Sequence, residues 1–408
     1  MKILFVHQNF PGQFLHLAPA LVERGHDVTA LTDETNARKS TITTFRYRKP
    51  DPRPDPKIAQ LGTTYCEMTN RAWRVARAAR VLRDKHGYVP DVIFGHGGWG
   101  ETLFLREVWP EARLIVYAEL YYAPRGLDVG FDPEFANDSE DKVYSVVARQ
   151  GHQALMMAQC DAALAPTEFQ ADTFPESFRD KITIIHDGVD TDRLKPDPMA
   201  RVVLPSGVEF RAGDELLTFI NRNLEPYRGY HSFIRALPEV MRARPNAQVV
   251  IIGGDDVSYG ARPGGGRSWK EIFLDEVRDQ LDLSRVHFTG KVPYATFTGL
   301  MQCTRAHCYL TVPFVLSWSM LEAMSAGALV VGSRTAPVEE LIEDGENGLL
   351  VDFFDTEEIA GTLIRALARP EEFRGMRQAA RRHIVENYDL HSICLPRLID
   401  FVEGRLDV

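Results

Sequence analysis

The sequence predicts an α/β protein with two domains, each built on a parallel β-sheet. Short apolar runs alternate with segments of helical periodicity along most of the chain, which is typical of βαβ units. The 408 residues exceed the size of one typical hydrophobic core. A proline-bearing stretch at residues 194–198, LKPDP, interrupts the alternation and indicates a linker. We therefore expect an N-terminal domain over residues 1–198, a second domain over 199–386 and a closing helix over 387–408.

The composition is that of a soluble globular enzyme. A formal net charge of -10 argues against nucleic acid as the main partner. No apolar run approaches about 18 residues, so we expect no transmembrane helix. The opening MKILFV is interpreted as a first strand and not as a signal peptide, which predicts a cytoplasmic protein. The five scattered cysteines are expected to be reduced core thiols, and no ligand spacing in the sequence predicts a metal site.

The N-terminal half opens with a βαβ unit. Residues 2–6 form the first predicted strand, 14–24 a helix and 26–32 the second strand. This arrangement places Gly12 at the carboxyl end of a strand, where ligands of parallel sheets bind. Gly12 either allows the backbone to approach a phosphate or belongs to an ordinary connecting loop. Residues 50–56, PDPRPDP, are predicted to be a stiff surface loop.

The helix predicted over residues 69–86 is rich in arginine. Its arginines lie at positions 71, 74, 77, 80 and 83. A solvated face is the usual explanation for such a pattern, and peripheral contact with an anionic acceptor or a membrane surface is the alternative.

A glycine-rich loop follows the strand predicted over residues 91–94. The letters GHGGWG at 95–100 precede a predicted helix over 101–108, and Glu119 comes about twenty residues later, as in a dinucleotide-binding fingerprint. An NAD-dependent oxidoreductase is therefore one hypothesis, although the fingerprint normally belongs to the first βαβ unit. His96 in this loop is a candidate catalytic residue or a structural hydrogen-bond donor. Glu119, at the end of the strand over 114–117, is either a ligand-binding carboxylate at a strand's carboxyl end or a surface acid.

In the C-terminal half, two segments suggest a site for a phosphorylated ligand. Arg222 and Arg228 lie between a predicted strand over 216–221 and a helix over 230–242. A guanidinium offers a fork to two phosphate oxygens, and the alternative is that both are solvated loop arginines. The second segment is a strand over 308–312, a turn over 316–319 and a helix over 320–326 that Ser319 is expected to cap. The amides at that helix start could hold an anion, and Glu322 could accept hydrogen bonds from ribose hydroxyls or merely favour the helix dipole.

Residues 321–333, LEAMSAGALVVGS, resemble the donor-site segment of the retaining glycosyltransferases of family 4 (group 1). Arg222 and Arg228 match the Arg and Lys that hold the donor pyrophosphate in that family, and the segment 340–351 matches as well. Glu322 corresponds to the second glutamate of the family's donor motif, which binds the ribose. Phe314 stands where the family has the first glutamate, so contacts to the donor sugar ring are expected to differ.

The resemblance implies a GT-B fold, with two Rossmann-like domains facing across a cleft and a C-terminal helix that crosses back to the first. It implies retaining transfer from a nucleotide-diphosphate sugar to a glycan, lipid or small-molecule acceptor, without metal or other cofactor. Glu119 occupies the position of a catalytic histidine of the family, where a carboxylate could bind a sugar hydroxyl or stabilise a cationic carbon, and His96 is the nearer histidine of this sequence. The implied donor-binding residues, in addition to the two arginines and Glu322, are Gly12, Ser317, Trp318 and Ser319. A non-catalytic nucleotide- or sugar-binding protein on the same scaffold remains the second hypothesis.

Overall fold

The computed structural model describes residues 1–48, 62–136 and 139–406, so the proline-rich stretch 50–56 lies outside the described residues. The chain divides into two compact units. Unit 1 comprises Met1–Asp187 and His391–Val408, and unit 2 comprises Gly188–Leu390. The division therefore precedes the linker predicted at 194–198. Val189 and Leu194 are buried in the core of unit 2, which explains why this stretch belongs to that unit.

Unit 1 is a parallel sheet flanked by helices. Its strands are β1 (Lys2–Val6), β2 (Asp27–Asp33), β3 (Thr43–Tyr47), β4 (Val92–His96), β5 (Arg113–Tyr117), β6 (Ala162–Ala165) and β7 (Ile182–Ile184). Its first helices are α1 (Leu17–Glu23), α2 (Thr63–His86), α3 (Leu105–Val108), α4 (Glu140–Gln159), α5 (Glu168–Asp172) and α6 (Glu176–Arg179). Over the described residues the strand order is β3-β2-β1-β4-β5-β6-β7. The order reverses between β1 and β4, and this switch point is where open α/β sheets bind ligands.

Unit 2 repeats the architecture with a parallel sheet of its own. Its strands are β8 (Arg201–Val203), β9 (Glu209–Arg211), β10 (Leu216–Asn223), β11 (Gln248–Gly254), β12 (Val286–Gly290), β13 (Ala306–Tyr309), β14 (Leu329–Ser333) and β15 (Leu349–Val351). Its helices are α7 (Tyr230–Ala243), α8 (Trp269–Val277), α9 (Tyr294–Cys303), α10 (Trp318–Ala326), α11 (Ala336–Glu339), α12 (Thr356–Ala368) and α13 (Arg374–Tyr388). In the described part of the chain β8 and β9 form an antiparallel hairpin, and the main sheet has the order β12-β11-β10-β13-β14-β15. Its switch point lies between β10 and β13.

The C-terminal segment returns to unit 1. It contains a π-helical turn over Leu390–Cys394 and the last helix, α14 (Leu395–Val402), where one continuous helix was predicted. Phe401 is buried in the same apolar cluster as Phe5 of β1. Arg24 Nε lies 2.9 Å from Glu403 Oε1 just beyond α14. The last residues of the chain thus complete the core of the first unit.

The apolar pattern of the sequence was enough to predict most of the buried strands. In β1, Ile3 pairs with Val28 of β2 on one side and with Val92 of β4 on the other, so both edges are covered, and the strand is buried after its first residue. Strands buried in this way carry continuous apolar runs. No helix in the described ranges is both long and apolar enough to cross a membrane.

Candidate active site

Two histidines meet at the switch point of unit 1. His7 directly follows β1, and His96 is the last residue of β4. Their ring centroids lie 5.4 Å apart at an interplanar angle of 81°. Both side chains are buried, so the rings form a fixed wall at the carboxyl end of the sheet.

Glu119 lies beside these rings, two residues after β5. Its Oε2 is 3.4 Å from Nε2 of His96, and its Oε1 accepts a hydrogen bond of 3.4 Å from Nε2 of Gln13. The Nδ1 atom of His96 accepts the Gly98 N–H at 3.0 Å. In the neutral ring the proton is therefore on Nε2, which donates toward the carboxylate. The two residues predicted to be catalytic are thus neighbours, and the Glu119 side chain is 32% exposed.

Gly12 is held against His7. Its φ of +51° is in the left-handed region, and a Cβ there would lie 2.8 Å from Cε1 of His7. His7 accepts the Asn9 N–H at its Nδ1, 2.9 Å away. Burial, followed by the nearby His96 and Arg38, lowers the pKa of His7 to about 3, so its ring is neutral at physiological pH. The sequence reasoning missed His7, although a histidine at the end of an apolar strand was the available signal.

The glycine-rich loop at 95–100 does not open a helix in the manner of the dinucleotide fingerprint. Residues Gly97–Trp99 form a 3-10 turn, and the α3 helix begins only at Leu105. The helix predicted over 101–108 is therefore wrong over its first turn. Glu101 is instead fully buried and accepts a 2.6 Å hydrogen bond from the Tyr47 hydroxyl, a contact that fixes the chain before the helix can start.

In unit 2, Arg228 connects the two segments predicted to bind the donor. Its side chain is 5% exposed, and Nη1 donates to Thr311 Oγ1 at 2.8 Å and to the Val315 carbonyl at 2.9 Å. The guanidinium also lies 5.7 Å from the ring centroid of Phe314. Arg222, by contrast, is exposed near the end of β10. The two arginines therefore differ: Arg228 braces the loop after β13, and Arg222 faces solvent.

The α10 helix begins two residues earlier than the sequence predicted. Ser317, and not Ser319, is the N-cap: its side chain accepts the Ser319 N–H at 3.4 Å. Ser317 is itself held by a 2.7 Å hydrogen bond from its N–H to the Tyr309 hydroxyl. Trp318 is the first helical residue and is exposed, whereas the Ser319 side chain is buried. Gly327 ends the helix in the left-handed conformation, in agreement with the prediction.

Glu322 lies in the second turn of this helix and is held by α9. Its Oε1 accepts a 2.5 Å hydrogen bond from the hydroxyl of Tyr294. Burial raises the pKa of Glu322, while this hydrogen bond and the nearby Arg193 act in the opposite direction. The Arg193 guanidinium in turn lies 4.4 Å from the Tyr294 ring centroid. The sequence reasoning missed Tyr294, because the α9 helix that presents it was not predicted.

A second acid in unit 2, Glu225, was also missed. It is 1% exposed and accepts backbone N–H groups from the loop after β11. The distances are 3.1 and 3.2 Å to Ser258, 3.2 Å to Tyr259 and 3.4 Å to Gly260. The long loop predicted at 257–268 as a lid, a binding loop or disorder is thereby anchored at its start. No local pattern distinguishes Glu225 from a solvated loop acid, so its anchoring role could not be predicted from the sequence.

The described residues do not contain a group of three or more His, Cys, Asp or Glu side chains that could hold a metal ion.

Comparisons with known proteins match both units. The family model described as Glycosyl transferase family 4 group matches residues 24–194, and the model described as Glycosyl transferases group 1 matches residues 206–383.

Two curated relatives illustrate the match. A GDP-mannose-dependent alpha-(1-6)-phosphatidylinositol monomannoside mannosyltransferase of Mycolicibacterium smegmatis is 27% identical over 255 residues, which cover 60% of this chain and 63% of the relative. The match thus spans less than two thirds of that relative's length. The glycogen synthase of Mycobacterium tuberculosis is 23% identical over 422 residues, which cover 96% of this chain and 92% of the relative.

Solved structures give the same fold. Sucrose-phosphate synthase from Thermosynechococcus elongatus superposes with a TM-score of 0.74 at 16% identity, over 99% of each chain. Anabaena HepE in complex with UDP and glucose superposes with a TM-score of 0.67 at 16% identity, over 99% of this chain and 100% of that chain. These likenesses show the GT-B fold, with its two Rossmann-like domains.

Proposed function

Since the chain belongs to the group 1 glycosyltransferases of family 4, we propose that it transfers a glycosyl group from a nucleoside-diphosphate sugar to an acceptor hydroxyl. One observation carries the proposal. The hydrogen bonds of Arg228 to Thr311 and Val315 join the two candidate donor segments at the switch point between β10 and β13. The names of the relatives, which include a GDP-mannose-dependent enzyme and a structure with UDP and glucose, support a nucleotide sugar as donor.

The leaving group is stabilised by positive charge and by a helix dipole. Arg222 offers an exposed guanidinium at the end of β10, and the N-terminus of α10 at Trp318 offers the positive end of the helix dipole. Both act on the diphosphate as its negative charge develops. Because these groups neutralise the leaving group, the transfer proceeds without a metal ion, and we expect activity to persist in a chelator. Glu322 binds the ribose hydroxyls of the donor, and Arg228 keeps the loop before α10 in place.

Glu119 acts on the sugar. The His96 and Gln13 donors hold its carboxylate in one orientation, so it can stabilise positive charge at the anomeric carbon or bind a sugar hydroxyl. In the retaining route the bond from the anomeric carbon to the phosphate oxygen breaks, and the acceptor oxygen bonds to the same face. The acceptor proton passes to the departing phosphate oxygen. No protein nucleophile is required.

The first experiment is a donor screen that follows release of nucleoside diphosphate from several UDP- and GDP-sugars. It is combined with calorimetric titration of UDP and GDP into wild type and Arg222→Ala. A hydrogen bond to a charged group is worth about 1.5–3 kcal/mol, so the variant should bind at least about tenfold more weakly. Arg242→Ala, which removes an exposed arginine of α7, is the matched control and should bind like wild type. Equal affinity of wild type and Arg222→Ala, with the fold intact, would show that Arg222 does not bind the donor diphosphate.

A non-catalytic binding protein is the second candidate, and Phe314 favours it. Phe314 is 5% exposed and packs against Tyr259, with ring centroids 4.9 Å apart, at the position where the family carries a glutamate. Nucleotide binding without turnover of any donor in the screen would support this candidate over the transferase. The oxidoreductase hypothesis required a helix directly after the 95–100 loop, and the α3 helix begins only at Leu105.

A further inference from the structure

A basic pocket lies in unit 1 beside the loop that carries Gly12. It has a volume of about 410 Å³, within the range of small-molecule sites. Its cationic lining residues are Arg38, Lys39 and Arg46, and Ser40 and Thr44 add hydroxyl groups. Acidic side chains are not among its lining residues in the described part of the chain. This concentration of positive charge stands out on a chain whose formal net charge is -10.

The walls of the pocket are fixed by hydrogen bonds. The buried Asn36 donates through Nδ2 to the Phe10 carbonyl and to Thr32 Oγ1, each at 2.8 Å. Its Oδ1 accepts the backbone N–H of Arg38 at 3.1 Å. Arg46 Nη1 donates to the Asn36 carbonyl at 2.6 Å, which ties β3 to the same loop. The basic side chains are therefore presented by an ordered frame, and binding an anion needs little rearrangement of the backbone.

The pocket is close to Glu119. Arg38 Nη1 reaches the Asn9 carbonyl at 3.4 Å, and Phe10 lines the pocket. Gln13, three residues after Phe10, holds Glu119. Three residues span at most about 10 Å between their Cα atoms, so the wall of the pocket at Phe10 and the residue that holds Glu119 belong to one short segment. Arg38 also contributes, after burial and His96, to the lowered pKa of His7.

We propose that this pocket binds a phosphate group carried by the acceptor. Arginine matches the geometry of phosphate oxygens and lysine adds a mobile point charge, a combination typical of phosphate recognition. The role as an acceptor subsite rests on the proposed transferase function, whereas phosphate binding itself does not. The phosphate is that of a soluble polyol or sugar phosphate, or that of a lipid headgroup, and the chemistry of the pocket is common to both.

The test compares glycerol 3-phosphate with glycerol by calorimetric titration of the intact protein. Wild type should bind the phosphate and not the polyol. Arg38→Ala combined with Lys39→Ala should weaken binding at least about tenfold, since two charge-assisted contacts are lost. The control combines Arg80→Ala with Lys85→Ala, which removes the same charge from exposed positions of α2 and should change affinity less than about twofold.

A second arm identifies the source of the phosphate. Phosphatidylcholine vesicles with phosphatidic acid are sedimented with each protein, and pure phosphatidylcholine vesicles serve as the blank. If the wild type sediments with the phosphatidic acid vesicles and the Arg38/Lys39 variant does not, the phosphate is that of a lipid headgroup. If the wild type binds glycerol 3-phosphate but does not sediment with these vesicles, the acceptor is soluble. If the wild type binds in neither arm, or if the Arg80/Lys85 control loses as much affinity as the Arg38/Lys39 variant, the pocket is not a phosphate site. UDP and GDP titrations on the same samples test the donor site separately. A failure of the transferase proposal can therefore be distinguished from a failure of the phosphate pocket.

Discussion

Replacing Glu225 by glutamine should loosen the start of the loop at 257–268 without unfolding unit 2. The carboxylate accepts N–H groups from Ser258, Tyr259 and Gly260. Hydrogen bonds to a charged acceptor contribute about 1.5–3 kcal/mol each and those to a neutral acceptor about 1 kcal/mol. The glutamine also presents one NH₂ group where an acceptor is needed. The local opening free energy should therefore fall by about 2–3 kcal/mol, which is about 30- to 150-fold in the rate of amide exchange.

The assay is hydrogen exchange followed by mass spectrometry, with peptides that cover the loop and the β11 strand. Protection should fall at Ser258–Gly260 and remain unchanged in β11. Glu239→Gln, on the exposed side of α7, is the matched control, because it removes the same charge from a surface ion pair. Changes below about threefold at the loop amides in Glu225→Gln would refute the reasoning. A loss spread evenly over unit 2 would refute it as well, because it would indicate global destabilisation.

Three further predictions concern the proposed sites and the core. Glu119→Gln should leave UDP or GDP affinity within about twofold and lower turnover about 100-fold or more, and a normal rate would make Glu119 an ordinary surface acid. Glu322→Ala should weaken binding of UDP or GDP but barely affect pyrophosphate, and equal losses by calorimetry would indicate a structural role. Burial lowers the pKa of His307 to about 4. Unfolded histidine takes up its proton below about pH 6.5, so stability should fall by about 3 kcal/mol as the pH drops from about 6.5 to 4. His307→Gln should flatten this part of the denaturation profile, whereas the exposed His86→Gln should not.

Much of the fold was accessible from the sequence because its signals are local and strong. The apolar run of β1 and the glycine at 327 predict a strand and a helix end from steric and hydrophobic preferences alone. The β3 strand was missed because Thr43–Tyr47 alternates only weakly and has an exposed edge residue. The β8–β9 hairpin was missed because each strand has three residues, too few for a period to be recognised.

The sequence predicts those parts of the candidate site that depend only on residue type and on position along a strand. His96 ends β4 and Glu119 follows the neighbouring parallel strand β5, so their proximity could be predicted from topology. The fixed orientation of Glu119 could not, since it depends on Gln13, which is distant along the chain. The same holds for Glu322, whose partner Tyr294 is presented by another helix. The N-cap at Ser317 differed from the predicted Ser319 because its capping geometry depends on a tertiary contact with Tyr309.

The return of the C-terminal segment to unit 1 has a consequence for biosynthesis. Phe401 and its neighbours in α14 complete a core whose other members, such as Phe5, leave the ribosome first. Between them the ribosome must translate Gly188–Leu390, which takes about 10–40 s at typical bacterial and eukaryotic rates. During that interval the apolar surface against which α14 packs is exposed on the nascent chain. Unit 1 therefore begins folding first and is completed last, and this surface is where a chaperone would be needed during translation.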